Sequence, residues 1–468
     1  MVTEFPLQNN HRPRLVPTLA SIVLIVGSVA YCPISANAVD SSAKRASPTE
    51  SRAAELFKSG DYAAVAMLYQ GLSVDATASK PFLRLSCLSY IRLGRPEEAF
   101  TIYSRLNPPG QPHDATLLRP LALAVITSRV RDRQEHVRIA AYTALAELGL
   151  RETSAILEDG LLDSSVLVRA RAAEAIGKAG LAQHSGPLRR ALDDEMPSVR
   201  IAAITALGEA GAKDLVERFT TISRREGGPE SVFADAALYR MGRSEKLADI
   251  ASAATFPDTD VRMAALGILG RLKRPSSLAV LTQAVYDPIP SVRAFAAGAL
   301  GEFGSVDGLT PLMRAATDDV AIVRSVAARS FGRLNAKDAL PVLITLTRDP
   351  SFHVRGSAAE GLLRLRDPAG IQLAAELALH SDPSIRGSAA QALGVTAEPR
   401  ALPILQTLMK DQQPLPRLMA ARALVKQQAA AIPVLVSGLR DSDETIRIAA
   451  AASLLQHLGR PKASSQRH

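Results

Sequence analysis

Apolar and polar positions along this chain follow the period of an α-helix, and the helical pattern itself recurs at a fixed interval. Relative to a recurring arginine, apolar residues fall at −1, +3, +4 and +7; around Arg293 these are Val292, Ala296, Ala297 and Leu300. At 3.6 residues per turn the four places form one stripe that faces a neighbour. The arginines are Arg138, Arg169, Arg200, Arg262, Arg293, Arg324, Arg355, Arg386, Arg417 and Arg447, spaced by 31 except for a double interval of 62 after Arg200 and a final 30. About half a repeat before an arginine a companion helix opens on Pro187, Pro311, Pro341, Pro403 or Pro433, since proline at a first helical turn forfeits no hydrogen bond. A fixed period of this size predicts stacked helical hairpins, an all-α superhelix (α-solenoid). Eleven units are expected over residues 117–459, forming an arc on the order of 100 Å long.

Each repeated position has a physical reading. Small side chains at +3 and +4 let helix axes approach closely. The glycine after the stripe, Gly301 or Gly332, is expected to turn left-handed and end the helix. Six places before eight of the ten arginines stands an aspartate: Asp132, Asp163, Asp194, Asp287, Asp318, Asp349, Asp411 and Asp441. Phe256 and His380 occupy the other two places. Aspartate before a helix caps free N–H groups, and arginine can bridge to the next layer.

Period, Asp-to-Arg spacing and alanine stripe together resemble HEAT repeats, particularly the short bacterial kind also found in phycobilisome lyases. The resemblance implies a ladder of these aspartates and arginines linking adjacent repeats, so the row is read as structural and not as a ligand groove. One unit departs from the template. Between Arg200 and Arg262 the arginine place holds Phe233, preceded by a polar insertion from Arg224 through Arg225 and Glu226 to Glu230. Arg224, Arg225, Glu226 and Phe233 form a candidate hinge or partner-binding loop; drift in a tolerant loop is the bland alternative.

Upstream the period changes. Gly60-Asp61-Tyr62 recurs as Gly94-Arg95-Pro96 at an offset of 34, with Val65, Tyr69 and Leu72 matched by Ala99, Tyr103 and Leu106. Residues 50–107 resemble two tetratricopeptide-like hairpins, here expected to cap the array. A polar linker (39–49) precedes them, a Pro-Pro-Gly linker (108–116) comes after them, and a disordered tail (460–468) closes the chain.

Residues 1–38 read as a cleaved signal peptide: Arg12 and Arg14, an apolar run from Leu19 to Ala30, then Ala36-Asn37-Ala38 before a mature start at Val39. The expected location is periplasmic or secreted. An uncleaved membrane anchor and lipid attachment at Cys32 are the alternatives, although Tyr31 is bulky for a lipid-attachment box. Without the signal Cys87 is the sole cysteine, so no internal disulfide forms, and its apolar helical setting reads as a buried thiol. Aromatics are only 4 % of the chain and Trp is absent, leaving a core of Ala, Leu, Val and Ile.

The net charge of +9 suggests weak association with anionic membranes or acidic polymers. Nucleic acid is not expected as a partner of an exported chain, nor is an obligate homo-oligomer. No phosphate loop, nucleophile with a neighbouring base or metal-spaced histidine pair occurs. Deoxyhypusine hydroxylases, which resemble this fold, hold iron on His-Glu pairs, and none of the eight histidines here precedes a glutamate. The expected function is a non-enzymatic scaffold for protein partners in the bacterial envelope, with no cofactor. The alternative is an enzyme or accessory of the bilin-lyase or hydroxylase type.

Overall fold

A computed structural model describes residues 47–72, 78–108, 110–225 and 227–459, all within one compact unit. The signal-peptide reading, Cys32, Glu226 and the C-terminal tail lie outside the described residues. Every regular element among those described is a helix. Four come first: Pro48–Lys58, Tyr62–Gln70, Lys80–Arg92 and Pro96–Leu106. Gly60 and Gly94, with φ of 82° and 69°, make the sharp turns between the members of each pair. None of the helices is long and apolar enough to cross a membrane.

Eleven hairpins come next, beginning at Ala115. In the sixth, Leu278–Ala284 is the first helix and Pro290–Phe303 the second. Second helices pack along one another from hairpin to hairpin, whereas first helices scarcely touch their counterparts. The layers are therefore wedges, thin on the side of the second helices, and the array curves around that side.

Glycine and alanine make the thin edge possible. A methyl group on Gly208 would lie 2.5 Å from Ala237 Cβ, and one on Gly301 would lie 2.5 Å from Ser330 Oγ. These distances are shorter than side chains tolerate, so the next helix sits where a Cβ would be. The expectation for Gly301 and Gly332 is corrected here: both lie within their helices, at this contact. The left-handed turns come slightly later, at a fixed place after the arginine, so that Gly149 stands to Arg138 as Gly304 stands to Arg293. Gly149, Gly180, Gly211 and Gly304 have φ between 56° and 80°. Lys273, Asn335, Arg366 and Gln428 take the same conformation without glycine's freedom.

The expected open arc is also corrected. The last helix, Glu444–Leu458, packs against both helices of the first hairpin, Ala115–Thr127 and Glu135–Leu148. Arg129 Nε meets Glu444 Oε2 at 2.8 Å, and Arg119 Nε donates to the carbonyl of Gly459 at 3.2 Å. One apolar cluster runs through this junction, joining Leu118 and Leu145 to Ile446 and Leu454. A full turn shared by eleven wedges needs only about 33° from each. The array is a closed ring.

Two glycines of one helix separate packing from propensity. Gly301→Val should lower stability by at least about 2 kcal/mol through overpacking. Gly298→Ala, whose methyl would meet Val326 Cγ1 at an ordinary 3.4 Å, should leave stability unchanged or raise it by up to about 1 kcal/mol. Chemical denaturation midpoints measure both.

Candidate functional site: ladder edge, seam and inner wall

The turns within the hairpins carry the charged residues that the repeat pattern singled out. Each rung reaches forward by one repeat. Arg293 Nε and Nη2 lie 2.7 and 2.9 Å from the two carboxylate oxygens of Asp318, while its Nη1 donates to the carbonyls of Asp287 and Pro288. The Asp318 carboxylate also accepts the N–H of Val320, two places on, at 2.9 Å. That contact lies just before the helix and does not cap its first turn. Arg138–Asp163, Arg169–Asp194, Arg262–Asp287, Arg324–Asp349, Arg386–Asp411 and Arg417–Asp441 repeat the pairing at 2.6–3.0 Å. A fork of this kind fits a carboxylate with two parallel bonds.

Two ladder arginines and one aspartate stand outside the pattern. At the place facing Arg355 the chain has His380; Arg355 lies over the Phe352 ring at 4.3 Å, and that ring packs against His380 at 4.5 Å. Arg447 and Asp132 flank the seam and do not pair with each other. Instead Glu97, near the start of Pro96–Leu106, contacts both Arg129 and Arg447, and Arg447 reaches Glu444 at 3.1 Å. The last N-terminal helix thus lies across the ring's junction, and Arg440 stacks on its Phe100 at 5.6 Å. In the sequence Glu97 reads as an ordinary surface acid. Its partners Arg129 and Arg447 are remote along the chain, and no local pattern signals them.

The irregular fourth hairpin keeps its rung by other means. Arg200 pairs with Glu230, Nε to Oε2 at 3.0 Å, so a residue of the polar insertion supplies the missing carboxylate. Phe233 is partly buried against the apolar residues of both flanking layers. Asp235, buried, bonds Ser223 at 2.5 Å and Lys246 at 2.9 Å, tying this helix to the first helices on both sides. Arg224 and Arg225 are exposed. Phe233, by contrast, packs against the core.

Opposite the apolar stripe, positions −2, +2, +5 and +9 of the second helices share one face, since steps of 100° bring them within about 60° of one another. This face lines the ring. It exposes large apolar side chains, namely Leu167 at 54 %, Phe295 at 48 % and Ile322 at 53 %. Between the seventh and ninth hairpins it is indented by a cavity of about 380 Å³, lined by Ser325, Arg329, His353, Ser357, Glu360 and Gln391 among others. A second, open hollow beside Lys410 on the turn edge contains the Arg386–Asp411 rung, whose groups already satisfy each other. Cys87 is fully buried, its Sγ 3.4 Å from the Ala99 carbonyl, and burial pushes the thiol up to about 12. Among the described residues no group of three or more His, Cys, Asp or Glu side chains could hold a metal ion.

The sequence profile described as HEAT repeats matches residues 115–177, 160–230, 244–331, 320–394 and 372–456, more than half of the chain. The chain belongs to the HEAT-repeat family. The matches do not reach the four N-terminal helices. No curated protein sequence matches. Among solved structures, the complex of CpcE and CpcF of phycocyanin lyase from Nostoc sp. PCC7120 is similar at 18 % identity and a TM-score of 0.37, covering 51 % of this chain and 94 % of that one. Human deoxyhypusine hydroxylase in complex with glycerol is 18 % identical with a TM-score of 0.31, covering 54 % and 98 %. Kap95p, from its complex with RanGDP, is 14 % identical with a TM-score of 0.36, covering 87 % and 64 %.

The rungs carry an acid-sensitive contribution to stability. Burial raises the Asp318 carboxyl, but the Arg293 bonds and the Val320 N–H outweigh it and hold the group at about 2. A carboxyl lowered in the folded state stabilises above its unfolded value of about 4 and loses that contribution as pH falls toward 2. Asp194, Asp349 and Asp411 are lowered in the same sense. Asp318→Asn should cost about 3 kcal/mol at neutral pH, because it removes the two-bond carboxylate partner of Arg293 and leaves only the exposed Asp319 at 3.2 Å. The variant should also flatten the stability loss between pH 4 and 2, measured by urea denaturation across pH.

Proposed function

We propose that this ring is an exported scaffold that holds a protein segment against its inner wall and performs no chemistry of its own. The observation that carries this reading is the exposure of Phe295 and Ile322 on the second helices of adjacent hairpins, on the face lining the ring, with Leu167 exposed on the same face four hairpins away. Large apolar side chains exposed side by side on a concave wall are characteristic of surfaces that a partner covers. Curved helical arrays also present long surfaces suited to extended segments. Inner helix axes about 9 Å apart make a circle of radius about 16 Å; subtracting a helix radius of about 5 Å leaves an opening on the order of 20 Å. An extended chain or a single helix fits that width.

Export rests on residues 1–38: a basic start, an apolar run, and Ala36-Asn37-Ala38 ahead of Val39. The excess of basic residues favours an acidic partner or surface in the envelope over a basic one. The reading without catalysis rests on the residues themselves. Most of the ladder arginines and aspartates are engaged with one another, and the inner-wall hydroxyls of Ser325 and Ser357 bond each other at 2.7 Å.

Two measurements test this. Expressed from its full gene in a Gram-negative host, the chain should be recovered from the periplasm with Val39 at its N-terminus, by intact mass. Recovery in the cytoplasm with residues 1–38 retained refutes export. A photo-cross-linker placed at Phe295 should capture a protein partner in the native envelope, while one placed at exposed Arg225 should not. Equal capture at Arg225 would instead favour the loop of the fourth hairpin as the binding element.

A further inference from the structure

The cavity on the inner wall has a composition that the rest of the wall lacks. At positions +1 and +2 most second helices carry Ala, Ile, Met or Phe; the seventh to ninth have Ser325, Gly356, Ser357, Gly387 and Ser388. These small residues leave the indentation. Ser325 and Ser357 are buried and share a hydrogen bond of 2.7 Å across two helices. Two oxygens share one proton in that bond, so the other hydroxyl proton is left to donate elsewhere.

Arg329 projects from the same wall, partly buried, its side chain making no ion pair or hydrogen bond among the described residues. This sets it apart from the ladder arginines, whose guanidinium groups are held by carboxylates or carbonyls. The acid beside it, Glu360, is buried and already paired with Arg364 at 3.0 Å. His353, Gln391, Ser351 and Ser388 also line it, and Ile322 stands exposed at the rim. A partly buried arginine lining one cavity with a free hydroxyl donor and an amide is a receptor for a planar oxyanion, because arginine presents two parallel N–H groups.

The geometry points to this cavity as an anchor for a carboxylate carried by an acidic protein segment. The inference rests on the ring's inner wall being a protein-binding surface and names the chemistry of what binds there. Arg329 takes the carboxylate in a two-bond fork, Ser325 or Ser357 and Gln391 donate to its remaining lone pairs, and Ile322 covers apolar atoms of the flanking residue. The carboxylate can come from a side chain or from a chain terminus, and the two differ only in whether the peptide continues beyond it.

The test uses residues 39–468 and three fluorescein-labelled peptides read by polarisation. One alternates glutamate and glycine with an amidated end, one is its glutamine counterpart, and one is all glycine with a free terminal carboxylate. At least one carboxylate peptide should bind about tenfold more tightly than the glutamine peptide, and which one does so assigns the source. Arg329→Gln should abolish that preference with the thermal midpoint unchanged, because among the described residues the side chain holds no partner. Arg314→Gln, at an exposed site on the outer helix Leu309–Ala315, should leave it intact. Equal binding of all three peptides, binding of none, or a preference that survives Arg329→Gln overturns the assignment. Loss of cross-linking at Phe295 with the peptide preference retained would refute the scaffold reading and leave the anchor standing.

Discussion

The close approach of consecutive second helices is the constraint on which the rest of this molecule depends. Where Gly208 and Gly301 stand, the neighbouring helix occupies the space of a side chain. Nothing comparable draws the first helices together, so each hairpin becomes a wedge. The sum of eleven wedges brings the last helix back to the first. Closure in turn removes the exposed apolar ends that an open array must cover with capping repeats. It also turns the face of the second helices opposite the apolar stripe into an enclosed wall.

The arginine–aspartate rungs act on a different edge and do a different job. Packing sets how near the layers come; a fork between Arg293 and Asp318 fixes how they are rotated about the contact. Two parallel hydrogen bonds tolerate little twist, and each rung also fastens the arginine to carbonyls of its own turn. The chain preserves this restraint where its template fails, by recruiting Glu230 for Arg200. At the seam Glu97, Arg129, Glu444 and Arg447 form a cluster that takes the place of a rung. The four N-terminal helices thus pack on the first hairpin and also reach across the join.

Much of the fold was legible from residue types at fixed spacing. Arg293 and Asp318 recur in step because the contact they make recurs, and the apolar stripe recurs for the same reason. Gly301 reads as a turn residue because a glycine near a helix end looks alike whether it serves a turn or a contact. Its neighbour Gly304 takes the left-handed turn, and the constant offset of such glycines from the ladder arginine was the available signal. Closure was not legible, since it depends on a small angle per layer summed over the whole array. The seam pairs join the two ends of the array, and the cavity around Arg329 is built from serines and glycines whose meaning depends on which face lines the ring.

Closure of the array can be read from one distance. Glu147 and Gln456 are both exposed, near the ends of the adjacent helices Glu135–Leu148 and Glu444–Leu458. Cys87 is fully buried and leaves introduced cysteines as the reactive ones. Spin labels at those two positions in residues 39–468, measured by pulsed electron paramagnetic resonance, should give a single short distance below about 30 Å, as packed helix axes about 10 Å apart require. A dominant distance beyond about 60 Å, as in an open arc on the order of 100 Å long, would contradict closure and with it the enclosed wall.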